Sequence, residues 1–178
     1  FKGHHLVSFK ADHIRPTTDR VKESLFNKLM FEIEGTRVLD LFCGTGNLGL
    51  EALSRGARFV SFVDDSKKSL EITKKNIEKL KIEKTEYQIV QTDVLKFLKN
   101  FKEDPVDIIF ADPPFTEQMA HAVMLAADTS ASFGAQTILA IESGGKERID
   151  PQYETLERID VREYGDKVLS FFRKKVNK

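Results

Sequence analysis

A chain of 178 residues, 40% hydrophobic and 31% charged, fits one domain with a sizeable core, and no apolar run approaches a membrane span. The formal charge is zero, yet the ends are basic: residues 1–28 hold six Lys/Arg against three Asp/Glu, and residues 165–178 hold five against one. The single cysteine, Cys43, excludes an internal disulfide and a cysteine-based zinc site and suits a reducing compartment, with the cytoplasm as the default.

In chain order, residues 1–16 alternate loosely without a helical stripe and read as a hairpin or arm ahead of the main domain, residues 17–178. Thr17, Thr18 and Asp19 offer helix caps, with Pro16 just ahead; Val21, Leu25, Phe26, Leu29 and Met30 then recur at helical spacing. Arg37–Phe42 is the first buried strand. Helices are expected near Asn47–Arg55, Ser66–Leu80, Asp93–Phe101 and Glu117–Ala127, alternating with strands at Phe59–Val63, Tyr87–Val90, Val106–Ala111 and Thr137–Ile141. Such alternation predicts a doubly wound α/β domain with a mostly parallel sheet and helices on both faces. Two further strands, Glu154–Glu163 and Lys167–Lys174, are joined only by Tyr164-Gly165-Asp166 and predict a C-terminal antiparallel hairpin.

Two turns carry the chemistry. Asp40-Leu41-Phe42-Cys43-Gly44-Thr45-Gly46-Asn47-Leu48-Gly49 follows the first strand and opens a helix, where glycines let backbone approach a ligand. Its Gly-x-Gly-x-x-Gly spacing, with Asp64 ending the next strand, suits the ribose of either a nicotinamide dinucleotide or S-adenosylmethionine. Asp40 is placed to receive an ammonium or to anchor the loop. Asp93 is placed to accept from an adenine amine or to cap its helix. Cys43 reads as a small filler.

The second turn is Asp112-Pro113-Pro114-Phe115, at the end of the fourth strand, the edge where open α/β sheets bind ligands. Neither proline can donate to a sheet ladder. What remains is a carboxylate, a free carbonyl at Pro113 and an aromatic face, a set that can hold a flat amine. Glu142, ending the fifth strand, reads equally as facing this cleft or as a solvated strand end.

Asp112-Pro113-Pro114-Phe115 resembles the Asp/Asn-Pro-Pro-aromatic motif of S-adenosylmethionine-dependent amino-methyltransferases. Arg15-Pro16-Thr17-Thr18-Asp19-Arg20-Val21, Leu25-Phe26-Asn27, Leu39 to Gly46 and Leu48 to Ala57 narrow the resemblance to RsmD-type methyltransferases, which modify a guanine N2 in bacterial 16S ribosomal RNA. Lys2-Gly3 with Leu6, and Tyr164-Gly165-Asp166, fit the same pattern. Cys43 and Thr45 replace the family's more usual Ala and Ser, and Asp64, followed by Asp65, stands where Glu is usual.

That resemblance implies a class I methyltransferase fold with a seven-stranded sheet, S-adenosylmethionine as cofactor, no metal, and ribosomal RNA or a partly assembled small subunit as partner of a monomer. It implies Asp112, Pro113 and Phe115 as the catalytic turn and Asp40, Gly44, Gly46, Asp64 and Asp93 around the cofactor. Lys10, Arg15, Thr17 and Arg20 then fall on the RNA side. Lys2 and Lys22 are further phosphate contacts, with help expected from Arg173, Lys174 and Lys175. The competing readings are an adenine-N6 or other amino-methyltransferase and an NAD-dependent oxidoreductase built on the same glycine turn.

Overall fold

The computed structural model describes residues 16–115 and 118–176, with the side chains of Pro16 and Thr17 left aside. Residues 1–15 of the expected arm, residues 1–16, lie outside the described residues, Lys2, Lys10 and Arg15 among them. Helix α1 (Pro16–Lys28) is followed by β1 (Arg37–Leu41), α2 (Asn47–Ser54), β2 (Phe59–Asp64) and α3 (Lys67–Lys79). Then come β3 (Tyr87–Gln91), α4 (Val94–Asn100), β4 (Val106–Ala111), α5 (Met119–Thr129), β5 (Phe133–Gly144), β6 (Leu156–Tyr164) and β7 (Lys167–Lys174).

The strands form one seven-stranded sheet in the order β3-β2-β1-β4-β5-β7-β6. β1 to β5 are mutually parallel, while β7 runs antiparallel between β5 and β6. The hairpin therefore folds back, so that its second strand, not its first, joins the parallel sheet. Alternate strand residues feed two cores, because successive side chains point to opposite faces. Val38, Phe62, Phe110 and Phe171 pack under α1, α2 and α3, with Val21, Leu25, Leu50 and Ile77 from the helices. Leu41, Ile109, Ile141 and Phe172 pack under α4 and α5, with Leu98, Val123 and Met124.

Three expectations shift. α1 includes Pro16, whose missing N–H costs nothing in a helix's first turn. It ends at Lys28, so Met30 falls past the helix and is 53% exposed rather than inward. β5 is longer than expected, spanning Phe133–Gly144, so Glu142 sits inside the strand opposite Leu169 of β7 rather than at a solvated end. Asp93 does cap its helix, accepting from Lys96 N, and Ser66 caps α3, accepting from Ser69 N.

Candidate active site

The carboxyl ends of β1, β2, β4 and β5 converge on one edge of the sheet. Directly after β1, Phe42 takes φ 57° and Gly44 and Gly46 take φ 56° and 82°, so the chain turns through left-handed conformations before α2 starts. Only glycine adopts these without strain, which is why this turn needs two of them. The loop is stitched from beneath. Asp40 Oδ2 accepts from Gly49 N at 2.9 Å, and Asp64 accepts from Gly44 N at 3.0 Å and Ser66 N at 2.9 Å. Thr73 Oγ1 donates to the Gly44 carbonyl and Asn76 Nδ2 to the Thr45 carbonyl, tying α3 to the turn.

Two cavities open on this edge. One, about 260 Å³, is lined by Asp40, Phe42, Gly44, Thr45, Asp112 and Glu142, with Thr18, Lys22 and Asn47 among its further walls. The other, about 380 Å³, is lined by Phe42, Asp64, Asp65, Asp93, Asp112 and Pro114 with Val94, Leu95 and Met119. Phe42 and Asp112 belong to both, so the two are halves of one cleft straddling the end of β1 and the proline turn. The structure thus brings together Asp40, Gly44, Asp64, Asp93 and Asp112. Gly46 lies beneath, where an added Cβ would stand 3.0 Å from Thr73.

Electrostatics distinguish the acids. Burial, helped by the nearby charges of Asp112 and Asp64, holds the Asp40 carboxyl well above the ordinary range against the hydrogen bond from Gly49 N. Such a group is held ready for a cationic ligand, which would favour its ionised form. Glu142 is pushed up to about 9 by burial first and then by the charge of Asp112, with Lys167 opposing. Cys43 is buried and its thiol is raised by burial and by Asp40, so it is no nucleophile, as its reading as a filler requires.

The proline turn is held at the cleft mouth. Pro113 is buried, Asp112 is exposed, and Phe115 is 41% exposed with Lys167 Nζ 5.4 Å from its ring centroid. Lys167 also donates to Thr18 Oγ1 at 3.3 Å, and the Arg20 guanidinium lies 5.7 Å from the Tyr164 ring.

Four residues of the expected phosphate surface sit elsewhere. Lys22 lines the first cavity, its Nζ donating to Asn47 Oδ1 at 2.7 Å, and burial lowers its pKa. The basic cluster at the end of β7 lies at the opposite edge, because β7 runs antiparallel to β5: Lys174 stacks on Phe133, the first residue of β5, and Arg173 pairs with Glu32. Lys167, at the start of β7, is the basic residue of that strand that reaches the cleft, and it is not among the expected phosphate contacts. Its signal was strand direction: the hairpin inverts which end of β7 faces the ligand edge.

An open sheet carrying a β1 glycine turn and an Asp-Pro-Pro-Phe turn, with an antiparallel seventh strand inserted beside β5, is that of a class I methyltransferase. A solved structure described as a methylase from Haemophilus influenzae superposes with a TM-score of 0.80 at 30% identity, covering 90% of this chain and all of that one. The ribosomal RNA small subunit methyltransferase D of Buchnera aphidicola is 36% identical over 144 residues, 80% of this chain and 74% of the relative. The Escherichia coli protein of that name is 32% identical over 80% of this chain and 71% of its own length. The family model described as Conserved hypothetical protein 95 matches residues 1–173, and the chain belongs to that family. It is a methyltransferase, and the oxidoreductase reading of the glycine turn falls. Among the described residues no helix is long and apolar enough to cross a membrane.

Proposed function

We propose that the protein transfers a methyl group from S-adenosylmethionine to the exocyclic N2 amine of a guanine in small-subunit ribosomal RNA. The carrying observation is the meeting of the two cavities at Phe42 and at Asp112, the first residue of the Asp-Pro-Pro-Phe turn. The residues fit the cofactor. Glycine backbone at positive φ leaves room over the turn, a raised buried carboxyl at Asp40 suits an ammonium, and Lys22 suits a carboxylate. Asp64 or its neighbour Asp65 faces the ribose and Asp93 the adenine amine, at the second cavity. When bound, the cofactor supplies an electrophilic methyl group on a sulfonium.

The chain's own residues do the rest. Guanine N2 is a poor nucleophile because its lone pair is delocalised into the ring. Asp112 and the Pro113 carbonyl accept its two N–H bonds, which lets the nitrogen pyramidalise and aim its lone pair outward. Phe115, exposed at the mouth, stacks on the base and fixes its plane. The rate gain comes from proximity and from a carboxylate beside developing positive charge, so no strong general base is required.

A guanine in paired RNA hides N2, so the target is a splayed or unpaired nucleotide. Arg20, near Tyr164, and Lys167, near Phe115, are available to meet its phosphates, and the family resemblance adds Lys10, Arg15 and Thr17 as further RNA contacts. The arm of residues 1–16 then serves RNA, residues 17–178 the chemistry, and a monomer suffices, without a metal, in the cytoplasm.

The test is transfer of tritiated methyl to undermethylated ribosomal RNA, naked and partly assembled, with the nucleoside identified chromatographically. N2-methylguanosine is expected from wild type, with a loss of roughly 100-fold or more in Asp112→Ala. N6-methyladenosine would favour the other amino-methyltransferase reading. Full activity in Asp112→Ala would remove that residue from the mechanism.

A further inference from the structure

Glu142 has no task in the chemistry above, although the fold sets it against the residue that has the central one. The β4–β5 register pairs Ala111 with Ile141, so the next residues, Asp112 and Glu142, emerge side by side towards the α1 face. Glu142 is 6% exposed and lines the same cavity as Asp112, one strand over at the adjacent register position. Two ionised carboxylates only accept, so a hydrogen bond between them requires one proton. Burial decides which group keeps it: Asp112 is exposed and well solvated, whereas Glu142 is enclosed by β5, β7 and α1.

We propose that Glu142 is a positioning residue: as a neutral acid it donates to one oxygen of Asp112 and holds the other oxygen towards the target amine. This rests on Asp112 being the acceptor of that amine. A carboxylate at an exposed strand end otherwise rotates broadly about its terminal torsion. A hydrogen bond to a charged acceptor is short and strong enough to remove that freedom. The groups facing Glu142 are Asp112 after β4, Lys167 from β7, Lys22 from α1, and Asp40 and Cys43 across the cavity. The two lysines pull the proton off and the acids hold it on. Enclosure of Glu142 and the adjacent charge of Asp112 outweigh Lys167, whose ammonium is also engaged by Thr18 and by the face of Phe115.

The test has two arms on the full chain. In the first, carbon-13 carboxyl shifts of glutamate-labelled protein are titrated, with Glu142 assigned by its loss in Glu142→Gln. The expected midpoint is near 9 in wild type and lower by about one unit or more in Asp112→Asn, where the neighbouring charge is gone. A wild-type midpoint in the ordinary carboxylate range, or one unmoved in Asp112→Asn, overturns the proposal whatever the enzyme methylates. In the second, Glu142→Ala is expected to lower kcat about tenfold or more with the cofactor Kd little changed. Glu142→Gln, whose amide donates from the same place, restores roughly a third or more of the rate and loses the alkaline limb of the pH profile. Wild-type kcat in Glu142→Ala overturns the proposal, as does an alkaline limb that persists in Glu142→Gln, since that limb then belongs to the substrate. Full activity in Asp112→Ala would instead refute the underlying role of Asp112, leaving the titration to decide whether the pair shares a proton.

Discussion

Gly49 offers the sharpest test of how the glycine turn is built. Its backbone is ordinary helix, so unlike Gly44 and Gly46 it is not demanded by φ. Steric crowding demands it: a Cβ there would stand 2.5 Å from Phe62 Cε1, 2.8 Å from Val60 Cγ1 and 3.0 Å from Asp40 Oδ2. Phe62 and Val60 are completely buried in β2 and cannot swing aside without disturbing the core beneath α2 and α3. In Gly49→Ala the gain from helix propensity is about 1 kcal/mol. Overpacking against two core side chains costs about 1–3 kcal/mol, and stretching the 2.9 Å bond from Gly49 N to the buried Asp40 adds about 1 kcal/mol. The expected net loss is about 2 kcal/mol, which for a urea slope of about 2 kcal/mol/M lowers the midpoint by about 1 M. Urea unfolding followed by circular dichroism measures it. A variant as stable as wild type would show that α2 can slide away from β2, and the steric account of this glycine would fail.

Three further outcomes follow from the site and its supports. Asp40 carries a raised pKa in the free protein and an ammonium stabilises its ionised form, so cofactor binding should release a proton. Affinity should then rise with pH through the raised titration of Asp40, a trend lost in Asp40→Asn; a flat calorimetric profile in wild type would exclude the contact. Lys22→Met should weaken S-adenosylmethionine binding about tenfold and leave adenosine binding unchanged, because adenosine has no carboxylate; equal losses for both would exclude a carboxylate partner. Asp128 is 7% exposed and accepts from Glu154 N, Thr155 N and Thr155 Oγ1, so Asp128→Ala strands donors at the start of β6. A loss of about 2–4 kcal/mol in urea unfolding is expected, and one below about 1 kcal/mol would mean that water replaces the carboxylate.

The alternation of buried strands and amphipathic helices was legible because each run obeys one period. Val106–Ala111 matches to the residue, and the other strands up to β4 match within a residue at either end. β5 was read too short because Gly134, Ala135 and Gln136 break the apolar pattern, although backbone pairing to β4 and β7 carries the strand across both ends. The hairpin was recognised, but its order in the sheet was not, since sequence periodicity contains no information on which strand of a pair docks. That one unknown decides the fate of the C-terminal charge. Sequence alone leaves Glu142 ambiguous because a lone acid after an apolar run looks the same whether solvated or buried, and only the β7 neighbour tells the two apart. The place of Lys22 in the first cavity is not legible from sequence, because helical spacing gives its angle around α1 but not what α1 packs against.

The insertion of β7 does more than complete the sheet. A strand added parallel beside β5 would have delivered Arg173, Lys174 and Lys175 to the ligand edge and left Lys167 at the far side. Running antiparallel, β7 delivers Lys167 instead, where one ammonium touches the α1 hydroxyl of Thr18 and the Phe115 ring and lies within electrostatic reach of Glu142. The Asp112–Phe115 turn is therefore flanked from two sides, by a cation near its aromatic ring and by a buried acid on the neighbouring strand beside its carboxylate. Lys167 favours ionised Glu142 while Asp112 opposes it, so the side chains proposed to orient the base would also set the protonation of Glu142. In the proposed reaction an RNA phosphate drawing Lys167 away would strengthen the proton's hold on Glu142, coupling arrival of the substrate to a firmer grip on Asp112. Lys167→Met should then raise the Glu142 midpoint in the free protein, and a midpoint that falls or stays fixed would break this coupling.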